Sequence, residues 1–112
     1  MSGITSHVLD TSRGKPAEGI AIRLERKATD DAWQSIKEAV TDSDGRVPNI
    51  ADNSCVTGHY RISFLVEEYF NLQQVKAFYP IVQIEFKVDD PNQHYHVPLL
   101  LNPFGYSTYR GS

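Results

Sequence analysis

Apolar and polar positions alternate with a period of two along most of the chain, the mark of strands that bury one face. "ITSHVLDT" sets Ile4, Ser6, Val8 and Asp10 against Thr5, His7, Leu9 and Thr11. "SRGKPAEG" breaks the pattern with Gly14, Pro16 and Gly19, and "IAIRLERKA" resumes it with Ile20, Ile22 and Leu24 inward and Arg23 and Glu25 outward. "AWQSIKEAVT" has a composition that would also suit a helix. The turn signal "DSDG" follows it, however, and a hairpin with the preceding strand is the simplest pairing, so a strand is expected.

"GHYRISFLV" (58–66) is strand-like, with Tyr60, Ile62, Phe64 and Val66 on one face. The period changes in "EEYFNLQQV", where Tyr69, Leu72 and Val75, with Phe70 beside them, predict one short α-helix near residues 67–75. "YPIVQIEFKVDD" and "HYHVPLLL" return to strands, and "YSTYRGS" reads as a short last strand after the turn "NPFG". Seven to eight strands with one helix predict an all-β fold, a two-sheet antiparallel β-sandwich. The 112 residues fit one domain, 1–112, with no repeat, linker or low-complexity stretch.

A chain of this length can bury a core without disulfides. It is too short to pack that core around a deep cavity as well, so a shallow cleft or a subunit interface is the expected binding place. A net charge of −3 with intermixed signs gives no nucleic-acid footprint. No segment approaches the ~20 apolar residues that cross a bilayer. One cysteine, Cys55, excludes an internal disulfide and favours a reducing compartment. "MSGITSHVLD" lacks the basic start and apolar run of a secretory signal, so the expected location is cytoplasmic, with peroxisome and periplasm left open.

Several stretches can carry chemistry. "TDSDGRV" has no acidic residue at Val40 and no glutamate at Ala51, which excludes an EF-hand and leaves a hairpin turn using the Asp-Gly preference for positive φ. Arg46 follows it, either a solvated charge or a functional one. In "HYHVP", His94 and His96 project to one strand face. Two imidazoles there, with His7 as a third, suit a metal site, acid–base catalysis, or ordinary exposed histidines. Cys55 has no basic cluster to lower its pKa, and His59 and Trp33 read as packing or surface residues. Ser107, Thr108 and Ser112 lack a nucleophile elbow. The end of the chain, "FGYSTYRGS", is unusual: termini are commonly small, polar and frayed, and this one carries two tyrosines and an arginine.

Together "SHVLDTSRGKPAEGI", "TDSDGRV", "HVPLLLNPFGYSTYRGS" and the terminal "YRGS" resemble the transthyretin-related family, specifically its enzyme branch, the 5-hydroxyisourate hydrolases of purine catabolism. The likeness runs from Ile4 to Ser112, and "YRGS" is characteristic of the enzymes, whereas the carrier branch lacks this ending and the matching histidine and arginine. The resemblance implies a two-sheet sandwich with one short helix, assembled as a homotetramer (a dimer of dimers) with active sites at the dimer–dimer interface. It implies hydrolytic ring opening of 5-hydroxyisourate to 2-oxo-4-hydroxy-4-carboxy-5-ureidoimidazoline, without a metal or organic cofactor. Carried over motif by motif, it makes His7, Arg46 and His96 catalytic, with Tyr109, Arg110, Gly111 and Ser112 joining His7 and Arg46 in binding substrate. His94 is not the motif histidine and stays outside that set. Asn102 stands where serine is frequent, a turn change with no bearing on the chemistry. The alternative function is a transthyretin-like carrier of small ligands without catalysis.

Overall fold

The structure, a computed structural model, describes residues 3–51 and 56–111, and of Pro48 and Asn49 the backbone alone. Its elements run β1 (Gly3–Asp10), β2 (Lys15–Pro16), β3 (Ala21–Lys27), β4 (Trp33–Val40), β5 (Arg46–Ala51), β6 (Gly58–Leu65), α1 (Val66–Asn71), β7 (Val82–Val88), β8 (His94–Asn102) and β9 (Gly105–Thr108). Two sheets face one another as a sandwich. One has the order β2-β1-β8-β9 with β5 also paired to β1, and the other has the order β4-β3-β6-β7. Within the first, β1 and β8 run parallel from Gly3 opposite His94 to Asp10 opposite Leu101, and the remaining pairs are antiparallel.

The period-two reading locates the core. Ile4 and Val8 of β1, Ile22 and Leu24 of β3, Tyr60, Ile62 and Phe64 of β6, and Leu99 and Leu101 of β8 are all buried between the sheets. Their neighbours in sequence point the other way, which puts Thr5, His7, His94 and His96 on the outer face of the first sheet, each only half-buried.

Three expectations are corrected. The "DSDG" turn does not close a hairpin: β4 belongs to the second sheet, and β5 pairs with β1 in the first. The turn itself is tight, with Gly45 at φ 73° and its N–H donating to the Asp42 carbonyl at 2.9 Å. The Asp42 carboxylate accepts the N–H groups of Asp44 and Arg46, both at 2.9 Å, which aligns Arg46 as the first residue of β5. β5 itself was not foreseen, since Pro48 interrupts "RVPNI"; proline is tolerated because β5 lies at the sheet edge, bonded to β1 alone.

The helix, expected near 67–75, spans Val66–Asn71 and leaves Leu72 87% exposed. The chain turns away because Gln74 adopts φ 58°, with its N–H bonded to Asn71 O and the Val75 N–H to Phe70 O, both the C-terminal bonds of a Schellman motif. α1 is fixed to the sandwich by its buried Val66, Tyr69 and Phe70 and by a polar contact as well. The Tyr69 hydroxyl donates to Asp10 Oδ2 at 2.7 Å, and Oδ1 of the same fully buried carboxylate accepts from Ser12 N, Ser12 Oγ and Arg13 N. Burial and the adjacent Asp10 carboxylate raise the Tyr69 pKa above its usual 10.0.

The last strand also ends earlier than "YSTYRGS" suggested. β9 stops at Thr108, and the next contact with β8 is an isolated bridge between Gly111 and His96. In the register continued from Leu99 opposite Thr108, Pro98 stands opposite Tyr109 and has no N–H to donate. The Pro98 carbonyl is taken by the Thr108 hydroxyl at 2.7 Å. One proline on the central strand therefore interrupts the ladder just before the terminal residues.

Candidate active site

Strand register assembles the site. His7 on β1 stands opposite Arg46 on β5, and Thr5, two residues earlier on the same face of β1, stands opposite His96 on β8. Beyond β8, Gly111 is bridged to His96, its N–H donating to the His96 carbonyl at 2.8 Å. Neighbouring strands lie about 4.8 Å apart. The outer face of one sheet thus carries guanidinium, imidazole, hydroxyl and imidazole across three adjacent strands.

Each imidazole is held by one nitrogen. His7 Nε2 lies 2.9 Å from the Asp44 carbonyl. A carbonyl only accepts, so Nε2 carries the proton and, in the neutral ring, Nδ1 is left with a lone pair. His96 Nδ1 lies 2.8 Å from Thr5 Oγ1, which leaves Nε2 for a ligand. Burial, then the neighbouring His7, His94 and Arg46, lower the His96 pKa from its ordinary 6.5 and favour the neutral ring. The Arg46 side chain is exposed and has no hydrogen-bond partner among the described residues, so its donors are available to a ligand.

Gly111 is required by space. A Cβ there would come within 2.5 Å of His96 Cδ2, so a glycine is what allows the tail to lie against the ring. Its neighbours point elsewhere. The Arg110 guanidinium sits 4.4 Å over the Tyr95 ring and donates to Gln93 Oε1 at 2.9 Å, on the inner side of the sheet. Tyr109 is 59% exposed and borders, with Arg110, Ile84, Phe86 and Tyr95, a cleft of about 520 Å³ at the β7/β9 edge. Within the chain the structure therefore brings together His7, Arg46, His96 and Gly111, but not the side chain of Arg110. Ser112 and Cys55 lie outside the described residues.

His94 is the residue that motif reading set aside. Its Nε2 is 2.9 Å from Thr5 Oγ1, so the His94 and His96 rings converge on one hydroxyl. Among the described residues no group of three or more His, Cys, Asp or Glu side chains is placed to hold a metal ion. His59 lies on the other sheet, paired with Glu85 at 2.7 Å and edge-on to Trp33, as a surface reading implies.

A transthyretin-type sandwich with a two-histidine, one-arginine face is the class that this fold and site define. Residues 4–111 match the HIUase/Transthyretin family model, and the chain belongs to that family. It is 47% identical to the 5-hydroxyisourate hydrolase of Deinococcus radiodurans, covering 98% of this chain and 96% of that protein. It is 44% identical to a probable 5-hydroxyisourate hydrolase of Caenorhabditis elegans, covering 99% of this chain and 82% of that one. Among solved structures, the 5-hydroxyisourate hydrolase of Klebsiella pneumoniae superposes with a TM-score of 0.87 at 32% identity, over 99% of this chain and all of that one. Transthyretin from Sparus aurata superposes at 0.94 with 28% identity, over 99% of this chain and 97% of that one. Backbone shape is thus common to both branches, and side chains must discriminate them.

Proposed function

We propose that the chain is a 5-hydroxyisourate hydrolase whose catalytic groups are His7, Arg46 and His96. The observation that carries this reading is the grouping, on one sheet face, of two singly anchored imidazoles and one arginine with no hydrogen-bond partner among the described residues. A passive carrier has no need of paired proton-transfer groups beside an anion-binding guanidinium, and full-length similarity to named hydrolases supports the same reading.

The residues divide the work as follows. Neutral His7 Nδ1 takes a proton from water as the water oxygen bonds to the ring carbonyl carbon. Such transfer contributes about 10²–10⁴-fold in rate. Arg46 orients the substrate with two parallel N–H donors and stabilises the tetrahedral oxyanion. The amide C–N bond then breaks, the leaving nitrogen takes a proton, and the carbonyl carbon remains on the ring-opened product as its carboxylate. His96 Nε2 is the group that faces the substrate from β8. Tyr109, Arg110, Gly111 and Ser112 are the substrate-binding residues of this reading; within the chain Gly111 lies against His96, and Arg110 braces the tail against Tyr95 and Gln93.

The histidine face is open in the single chain, and Phe78, Phe104, Tyr106 and Tyr109 are exposed at 68%, 68%, 41% and 59%. Both features support a homotetramer, a dimer of dimers, in which a second subunit closes the site. One domain spans the chain, and the location is cytoplasmic. Ultraviolet absorbance of freshly generated 5-hydroxyisourate tests the reading: it decays faster than its spontaneous rate with the wild-type protein and near that rate with His96→Ala. Equal decay with and without wild-type protein overturns it.

A further inference from the structure

Thr5 and His94 have no part in the mechanism above, yet Thr5 is hydrogen-bonded to the His96 ring and His94 shares the same hydroxyl. Thr5 Oγ1 lies 2.8 Å from His96 Nδ1 and 2.9 Å from His94 Nε2. The contact follows from register: Thr5 is opposite His96 on parallel strands, and His94 lies two residues back on the same face of β8. A hydroxyl has one proton to donate. With neutral rings, one nitrogen must accept it and the other must donate its own proton to the oxygen. The His94–Thr5–His96 chain therefore has a direction, and that direction sets which nitrogen of His96 carries hydrogen.

We propose that Thr5 and His94 are positioning residues that fix His96 with its proton on Nε2. His94 Nε2–H donates to Thr5 Oγ1, the Thr5 hydroxyl donates to His96 Nδ1, and His96 presents an N–H to the substrate. The choice of direction rests on His7 and on the proposed hydrolysis. The Asp44 carbonyl already makes His7 Nδ1 the lone-pair nitrogen, so the face has its base. Hydrolysis of an amide in an anionic ring also needs a donor, to a developing oxyanion or to the leaving nitrogen. With the chain reversed, both rings would present lone pairs to an anion, and Arg46 would be the one donor of the three. In the proposed direction the face holds one base and two donors. Neutral imidazole can fill the donor role when its surroundings keep it uncharged, as burial and the nearby His7, His94 and Arg46 do for His96.

Two measurements test this. In protein labelled with ¹⁵N in its histidine rings, long-range ¹H–¹⁵N spectra at neutral pH report which ring nitrogen is protonated. The expected result is Nε2–H for His96, with Nδ1 accepting a hydrogen bond that disappears in Thr5→Val and returns in Thr5→Ser. Kinetically, Thr5→Val is expected to lower kcat about 10–100-fold with little change in KM, as loss of an orienting partner does for histidines held by a second group. Thr5→Ser restores kcat, as does His94→Gln, whose amide N–H can still donate to Thr5. A His96 proton on Nδ1 in the wild type, or wild-type kcat in folded Thr5→Val, overturns the proposal. The spectra need no turnover. The expected tautomer in a protein that does not accelerate 5-hydroxyisourate decay leaves the hydrogen-bonded chain standing and removes the hydrolase reading alone.

Discussion

Gly111 lies against the ring of His96, joined to it by a 2.8 Å backbone hydrogen bond and separated by less room than a methyl group needs. The C-terminal tail is thereby part of the wall behind the imidazole proposed as catalytic. Gly111→Ala is expected to push the His96 ring out of place. kcat should fall about tenfold or more, as small displacements of a reacting group do, while thermal unfolding stays near wild type because Gly111 lies beyond β9 and meets β8 through one isolated bridge. Steady-state kinetics and a melting curve on the same sample check both halves.

Removing Tyr109 to Ser112 takes away the Gly111 bridge and the packing of Arg110 on Tyr95. Hydrolysis should be lost and the assembly should shift toward smaller species in light scattering. The far-ultraviolet β signal should persist, because β9 ends at Thr108 with its pairing to β8 intact. Normal turnover by the truncated chain would separate the tail from the mechanism.

Arg46→Lys keeps the charge and removes the planar pair of donors. A loss of about 10²–10³-fold in kcat is expected from the missing oxyanion contact. The exposed guanidinium has no hydrogen-bond partner among the described residues, so urea unfolding should be unchanged.

The lowered pKa of His96 has a consequence for stability with a definite sign. The unfolded ring protonates near 6.5 and the folded ring protonates below that, so the unfolded state binds the proton more readily. The contribution is complete above pH 6.5 and is lost as pH falls through the folded value. The Tm of His96→Gln should therefore depend less on acid between pH 7.5 and 5 than that of the wild type. Burial is the leading cause, so Arg46→Gln should raise the His96 titration midpoint without returning it to 6.5.

Away from the site, Tyr69→Phe removes one of the donors to the buried Asp10 carboxylate. The cost should be about 1–3 kcal/mol, the loss of a hydrogen bond to a charged group. Tm should drop with kcat unchanged, since this contact joins α1 to β1 and touches no part of the histidine face.

Alternation along the chain carried much of the architecture. Ile4, Val8, Ile22, Leu24, Ile62 and Phe64 are buried where period two put them, because a strand in a sandwich has one face to hide. Local pattern misread β5 and the end of α1, each for its own reason. β5 contains Pro48, which argues against a strand unless the strand is known to lie at an edge, and edge position is a property of the assembled sheet. Leu72 sits at a helical spacing from Tyr69, and the Schellman bonds of Gln74 and Val75 end the helix before that side chain turns inward.

The candidate site divides in the same way. The residue types and motifs that single out His7, Arg46, His96 and the "YRGS" tail are legible in the amino-acid order, as is the shared face of His94 and His96. That Arg46 stands opposite His7 depends on a turn that crosses from one sheet to the other. That Thr5 meets two histidines some ninety positions away depends on the parallel register of β1 and β8. Periodicity states which way a side chain points along its own strand. Which side chains it meets is set by pairing between strands distant in sequence, and that pairing is decided by the packing of the whole sandwich.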